Sequence, residues 1–170
     1  MKQILFEVPI WKKQIEPSQI GLVSSDFKTS FLSDILTSFD GTNNISETGK
    51  LYLFGHIKDL LKEDVPIIDM LNLKIWRNIY NNNFQDKHNH AGCHFSFIVY
   101  EKIKKPQTVF IHPCNDLINA SSRLGNIFNT THKLNVQEND LVVFPSYLDH
   151  MVMLTEEALT ISGNFDIKTE

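Results

Sequence analysis

A mainly β fold, a sandwich or jelly roll with an N-terminal helical segment packed on it, is what this sequence predicts. Three observations lead there. From Leu71 onward, seven or eight short apolar or alternating runs recur at fairly even spacing, separated by turn chemistry. Between Phe27 and Phe39 the apolar residues instead step by three and four, as one buried helix face does. No internal repeat, low-complexity tract or linker interrupts the 170 residues, a length that suits one domain with a real core. The expected layout is one domain over 1–170, with an arm and helices over 1–70 and a core barrel over 71–170.

In chain order, Ile4 to Val8 is an apolar run closed by Pro9, which suits an edge strand or an extended arm. A helix is expected from Ser24 or Ser25, either of which can cap it, to Phe39, with Asp40-Gly41-Thr42-Asn43-Asn44 as its stop. His56 to Lys62 supports a helical turn or two before Pro66. Leu71 to Tyr80 alternates like a half-buried strand, and Asn81-Asn82-Asn83 breaks it. His94 to Tyr100 is aromatic and β-branched, a strong strand. Thr108–Ile111, His132–Val136, Leu141–Phe144, Met151–Leu154 and Leu159–Ile167 complete the set, with an irregular loop over Pro113–Gly125.

Composition sets bounds on function. The net charge of −4 offers no global basic field, so nucleic acid is not indicated as a partner. No stretch approaches the roughly 20 apolar residues of a membrane span, and the N-terminus lacks a long enough apolar segment for a signal peptide. Two cysteines are too few for a disulfide scaffold and fit a reducing, cytoplasmic setting. Sequences for a P-loop, a dinucleotide site or a hydrolase elbow do not occur. Edge strands and the N-terminal arm are compatible with a homodimer.

Chemistry concentrates in Lys87-His88-Asn89-His90-Ala91-Gly92-Cys93-His94, which holds three of the seven histidines. Residues two apart on a strand share a face, so His88 and His90 present two imidazoles together. A third ligand is needed, and His150, after the apolar run and Pro145, is the natural candidate. Three neutral imidazoles suit Fe, Zn, Ni or Cu and leave coordination positions open. His94 is a candidate fourth ligand, a candidate hydrogen-bond donor behind the ligands, or a packed residue. His56 has no context for chemistry, His112 and His132 are expected on the surface or in loops, with His112 able to line the barrel mouth, and Asp149 is expected to face away from His150.

The His88-x-His90-x3-His94 and Asn139-Asp140-x4-Pro145-x4-His150 spacings resemble the two cupin motifs. A fuller likeness covers most of the chain. Phe6-Glu7-Val8-Pro9-Ile10-Trp11, Trp76-Arg77-Asn78, Ser96-Phe97-Ile98-Val99-Tyr100, Phe144 to His150 and Ile161-Ser162-Gly163-Asn164 resemble, in order, the motifs of the 2OG-Fe(II) oxygenases of bacteria and their phages. That resemblance implies a double-stranded β-helix and a dioxygenase that hydroxylates a C–H bond of an unidentified substrate. It implies Fe(II) on His88, His90 and His150, with 2-oxoglutarate as co-substrate. His90 stands where the family usually has a carboxylate. If the gene is a phage's, the setting is the host cytoplasm. Ser162, Asn164, Tyr80 and Tyr100 are the candidates to orient the co-substrate.

Such oxygenases also carry an Arg or Lys eight to ten residues after the last histidine, to bind the far carboxylate of 2-oxoglutarate. Thr155-Glu156-Glu157-Ala158-Leu159-Thr160 has none, and its two acids would repel an anion. Arg77, Lys74 and Lys102 are the candidate substitutes. Two rival readings follow: a cupin-type three-histidine metalloenzyme that does not use 2-oxoglutarate, and a non-catalytic jelly-roll binding module.

Overall fold

The computed structural model describes residues 8–31, 33–105, 108–120 and 129–169. The Ile4–Val8 run lies largely outside them, as do the first two residues of the arm motif. The chain enters through β1 (Trp11–Gln14), a 3-10 turn (Pro17–Ile20) and four two-residue strands: β2 (Val23–Ser24), β3 (Lys28–Thr29), β4 (Leu36–Thr37) and β5 (Asn43–Asn44). Helix α1 (Glu47–Leu61) follows, then β6 (Ile67–His88), β7 (Phe95–Ile103), β8 (Thr108–Ile111), a short α2 (Asn115–Ala120), β9 (Thr131–Lys133), β10 (Asp140–Pro145) and β11 (His150–Thr169).

The expected helix over residues 24–39 does not form. Its place is taken by the β3–β4 hairpin, which extends the main sheet beyond β6. The steps of three and four misled because Phe31, on the supposed apolar face, is fully exposed while Ile35 is fully buried. Asp26 adopts φ 57, which a helix interior does not tolerate. The real helix starts later. Ser46 caps it, its hydroxyl accepting from Gly49 N at 3.0 Å. Leu53, Ile57 and Leu61, four apart, form its fully buried stripe. Burying each stabilises by roughly 1.5–3 kcal/mol. The turn or two expected near His56 is the second half of this helix.

Several strands after residue 66 are longer than expected, whereas β8 matches its expected bounds and β9 is shorter than the expected His132–Val136. Asn81-Asn82-Asn83 does not end β6; Asn82 takes a left-handed φ of 53 and the strand bends and continues to His88. Likewise the Met151–Leu154 and Leu159–Ile167 runs are one strand, β11, with register shifts against β6 around Val152. The Pro113–Gly125 segment contains α2 rather than loop alone, and residues 121–128 lie outside the description.

The large antiparallel sheet runs β1-β10-β7-β11-β6-β4-β3, with β8 joining β11 and β9. The start of β11, His150–Val152, pairs β8, whereas Ala158–Phe165 pairs β7. One bent strand thus belongs to both walls of a jelly roll. The apolar run of β10 is buried on both faces for a reason. Leu141 and Val143 pack with Leu53, Ile57, Phe97 and Ile161 in one core, and Val142 and Phe144 with Ile98, Tyr100 and Phe110 in another, inside the roll. Among the described residues no helix is long and apolar enough to cross a membrane.

Candidate metal centre and its cavity

The two longest strands set the site. His88 ends β6, His150 begins β11, and the two are register partners. His90 lies two residues past β6, where its backbone N–H donates to Ser146 O at 2.9 Å. The ring centroids of His88 and His150 are 4.3 Å apart, those of His88 and His90 5.1 Å, and those of His90 and His150 5.4 Å. One ligand atom from each of the three rings lies within 4.8 Å of the other two.

Backbone carbonyls orient two of the rings. His88 Nδ1–H donates to Asp86 O at 2.7 Å, and His150 Nδ1–H to Leu148 O at 3.1 Å. A carbonyl only accepts, so each ring carries its proton on Nδ1 and its lone pair on Nε2. Burial pushes His88 below the usual histidine range. Burial, helped by His88 and Lys74, lowers His90 to about 4. His150, buried beside the other two rings, falls well below 6.5. Three neutral imidazoles converging without protons between them are a donor set that a divalent transition metal fits. Among the described residues no carboxylate joins the cluster. The nearest candidate, Asp149, faces away as expected, accepting from Asn89 Nδ2 at 2.7 Å and lying 3.6 Å from Lys87.

Behind the triad, inside the roll, lies a cavity of about 560 Å³, counting the part open to solvent. Phe144 packs edge-on against His150, and Phe110 closes in beside it. Tyr80, Tyr100 and Ser162 line this cavity. Asn164 is not among its lining residues and acts one step back, accepting from Ser96 Oγ at 2.9 Å. Tyr80 donates to Gln85 Oε1 at 3.0 Å, and the Tyr100 hydroxyl pairs with Thr108 Oγ1 at 2.8 Å. Burial raises both phenols, so they stay neutral donors. Asn78 Nδ2 donates to Ser162 Oγ at 3.1 Å, while Asn78 Oδ1 and Thr160 Oγ1 are buried and make no hydrogen bond.

Arg77 is not in this cavity. It alternates to the outer face of β6 and holds Glu101 through two 2.8 Å bonds, so the expectation that it binds the co-substrate fails on strand parity. Lys102 is paired with Glu157, and Lys74 Nζ sits 3.2 Å from the centre of the Phe39 ring. Glu156 and Glu157 are outside too, bound to Lys102, Lys104 and Lys105, so they repel nothing within. His94 is turned away from the triad, its Nδ1 accepting from Ile167 N at 3.0 Å. Cys93 takes no part, and His112 and His132 line a separate outer groove.

In front of the triad, Lys28, Phe31, Phe39 and Asp40 wall an open groove that shares Trp76, Asn78, Gln85, His88 and His90 with the cavity. The sequence reading missed its β3–β4 wall, because a helix was expected there. Trp76 and Asn78 carried a readable signal: counting back by twos from Tyr80 puts both on the cavity face.

A jelly roll with three imidazoles at the rim of an inner cavity has the layout of a mononuclear non-haem metalloenzyme. A family model described as "Putative 2OG-Fe(II) oxygenase" matches residues 74–166, more than half of the chain, and the chain belongs to that family. Enzymes of this family are non-haem iron oxygenases that work with Fe(II) and 2-oxoglutarate. Solved structures share the fold. A Pseudomonas putida prolyl-4-hydroxylase is 11% identical with a TM-score of 0.59, covering 95% of this chain and 94% of that one. The non-haem alpha-ketoglutarate-dependent epimerase SnoN is 12% identical with a TM-score of 0.56, covering 94% and 79%. HygX from Streptomyces hygroscopicus, solved with nickel, 2-oxoglutarate and hygromycin B, is 10% identical with a TM-score of 0.53, covering 95% and 84%. No curated protein matches the sequence.

Proposed function

We propose that His88, His90 and His150 hold the iron of this oxygenase, that the inner cavity receives the 2-oxo acid, and that the outer groove receives the substrate. The observation that carries the assignment is the convergence of three imidazoles, one ligand nitrogen from each within 4.8 Å of the others, at the junction of cavity and groove. When bound, the iron supplies the open coordination positions at which oxygen is activated for attack on a substrate C–H bond. The protein's own share is geometric. Asp86 O and Leu148 O fix the ring tautomers, and Phe110 and Phe144 keep water from the flank of His150. The Asn78–Ser162 pair presents polar atoms to the co-substrate, and Trp76 sits against His90 with ring centroids 5.6 Å apart.

Residues 1–170 work as one domain in this reading, because Ile15, Leu53 and Ile57 share a core with the barrel residues Val99, Leu141 and Ile161. The free thiols of Cys93 and Cys114 support a cytoplasmic setting.

Anaerobic calorimetric titration with Fe(II) tests the assignment. One iron per chain is expected, and its loss in a His150→Ala protein of unchanged far-UV dichroism. Stoichiometric iron retained in that variant would sink the triad.

A further inference from the structure

The end of the cavity away from the triad has an unusual chemistry for something that must receive a dianion. Its walls are Tyr80, Tyr100, Ile103, Thr155, Ala158 and Thr160. Among the described lining residues none is Lys, Arg, Asp or Glu. Positions eight and ten after His150, where a base would stand, are Ala158 and Thr160, both more than nine-tenths buried and both facing in. Among the described residues, the three cations expected as substitutes are held elsewhere, Arg77 by Glu101, Lys102 by Glu157 and Lys74 on the Phe39 ring.

We infer that this chain's co-substrate pocket prefers a 2-oxo acid with an uncharged tail over 2-oxoglutarate. The inference rests on the iron assignment above, because a metal held by the triad would bind the acid's first carboxylate and keto oxygen.

A second carboxylate placed among Ile103, Ala158 and neutral hydroxyls loses its water and meets no opposite charge. Hydroxyl donors recover part of that loss. They do not match a bidentate guanidinium. An alkyl or hydroxyl-bearing tail has no such cost: it gains the apolar walls, and the unpartnered Thr160 Oγ1 is available to a neutral polar group.

The test compares 2-oxoglutarate with 2-oxopentanoate, which has the same carbon count and a methyl in place of the second carboxylate. Each is titrated anaerobically into the Fe(II) protein. Binding is read from the visible charge-transfer band of the chelated acid and, independently, by calorimetry. The expected result is that 2-oxopentanoate binds about tenfold more tightly, a difference of about 1.4 kcal/mol. Ala158→Arg is expected to move the ratio by at least about tenfold towards 2-oxoglutarate, and Ala158→Met to leave it. Should the buried arginine prevent folding, the wild-type comparison still decides. Binding of 2-oxoglutarate as tightly as 2-oxopentanoate, or more tightly, overturns the inference and leaves the iron site standing. Iron bound with no band from either acid also overturns it, in favour of a three-histidine enzyme without an oxo acid. Failure to bind iron overturns the assignment beneath it.

Discussion

Strands β6 and β11 face each other at His88 and His150, and face each other again eight residues along each strand, at Tyr80 and Ala158. The same two strands, in one cavity, carry a cluster of lone pairs at the first place and a neutral, half-apolar wall at the second. The imidazoles are kept neutral by burial and by one another, the form in which they can offer lone pairs to a cation. The far wall holds hydroxyls that are already paired or wait for a neutral partner. The lesson is that the two ends make opposite demands: one requires charge from outside, and the other discourages it.

The largest effect that separates them is on metal affinity. His150→Ala should weaken Fe(II) or Co(II) binding by at least about 100-fold, since two imidazoles remain of three. Tyr80→Phe, at the other end of the same strands, should change it by less than about threefold. Equal losses from both variants, measured by the same titration, would erase the distinction.

The second effect is on pH dependence, confined to the histidine end. In the metal-free protein His90 has a folded value of about 4, below its unfolded value near 6.5. Between those pH values the unfolded chain binds protons that the folded chain refuses, so stability is present above 6.5 and is lost as the pH falls towards 4. Urea midpoints of apoprotein at pH 7.5, 6 and 5 should therefore decline, and His90→Gln should flatten the slope. Tyr80→Phe should not, because its phenol is pushed further from this range.

A smaller effect sits at the far wall. Thr160→Val keeps shape and removes a buried hydroxyl that has no partner. The metal-free protein should be unchanged or more stable, by about 1 kcal/mol. A loss of more than about 1 kcal/mol would mean that Thr160 Oγ1 already has a partner.

How much of this was legible in the sequence follows the same division. The histidine end was readable because its signal is local: His88-x-His90 on one strand, and His150 after a proline-closed apolar run, need only the period of two to be placed. Tyr80, Tyr100 and Ser162, the expected co-substrate residues, line the cavity, and Asn164 does not. Arg77 obeys the same rule: it stands between Trp76 and Asn78, and the period of two puts it on the outer face. The groove wall was illegible: Phe31, Ile35 and Phe39 keep helical spacing, and only tertiary pairing of Leu36–Thr37 with Asn78–Ile79 turns the segment into a hairpin. The first half of α1, which was not expected, has a local sign in Ser46, whose cap precedes the Leu53-Ile57-Leu61 stripe.

The smallest effect belongs to the residue that parity moved out of the cavity. Arg77 and Glu101 form a two-bond pair on the outer face, with Arg77 21% and Glu101 16% exposed at the side chain. If the cavity is neutral because this guanidinium is outside, then Arg77→Met should leave both iron and 2-oxo acid affinity within about twofold and cost no more than about 1–2 kcal/mol of stability. Arg77→Met paired with Glu101→Leu should recover most of that cost, since the unpaired carboxylate goes with its partner. A selective loss of 2-oxoglutarate affinity in Arg77→Met, with iron still bound, would instead bring the guanidinium back to the far end of the cavity. The contrast between the two ends would then collapse.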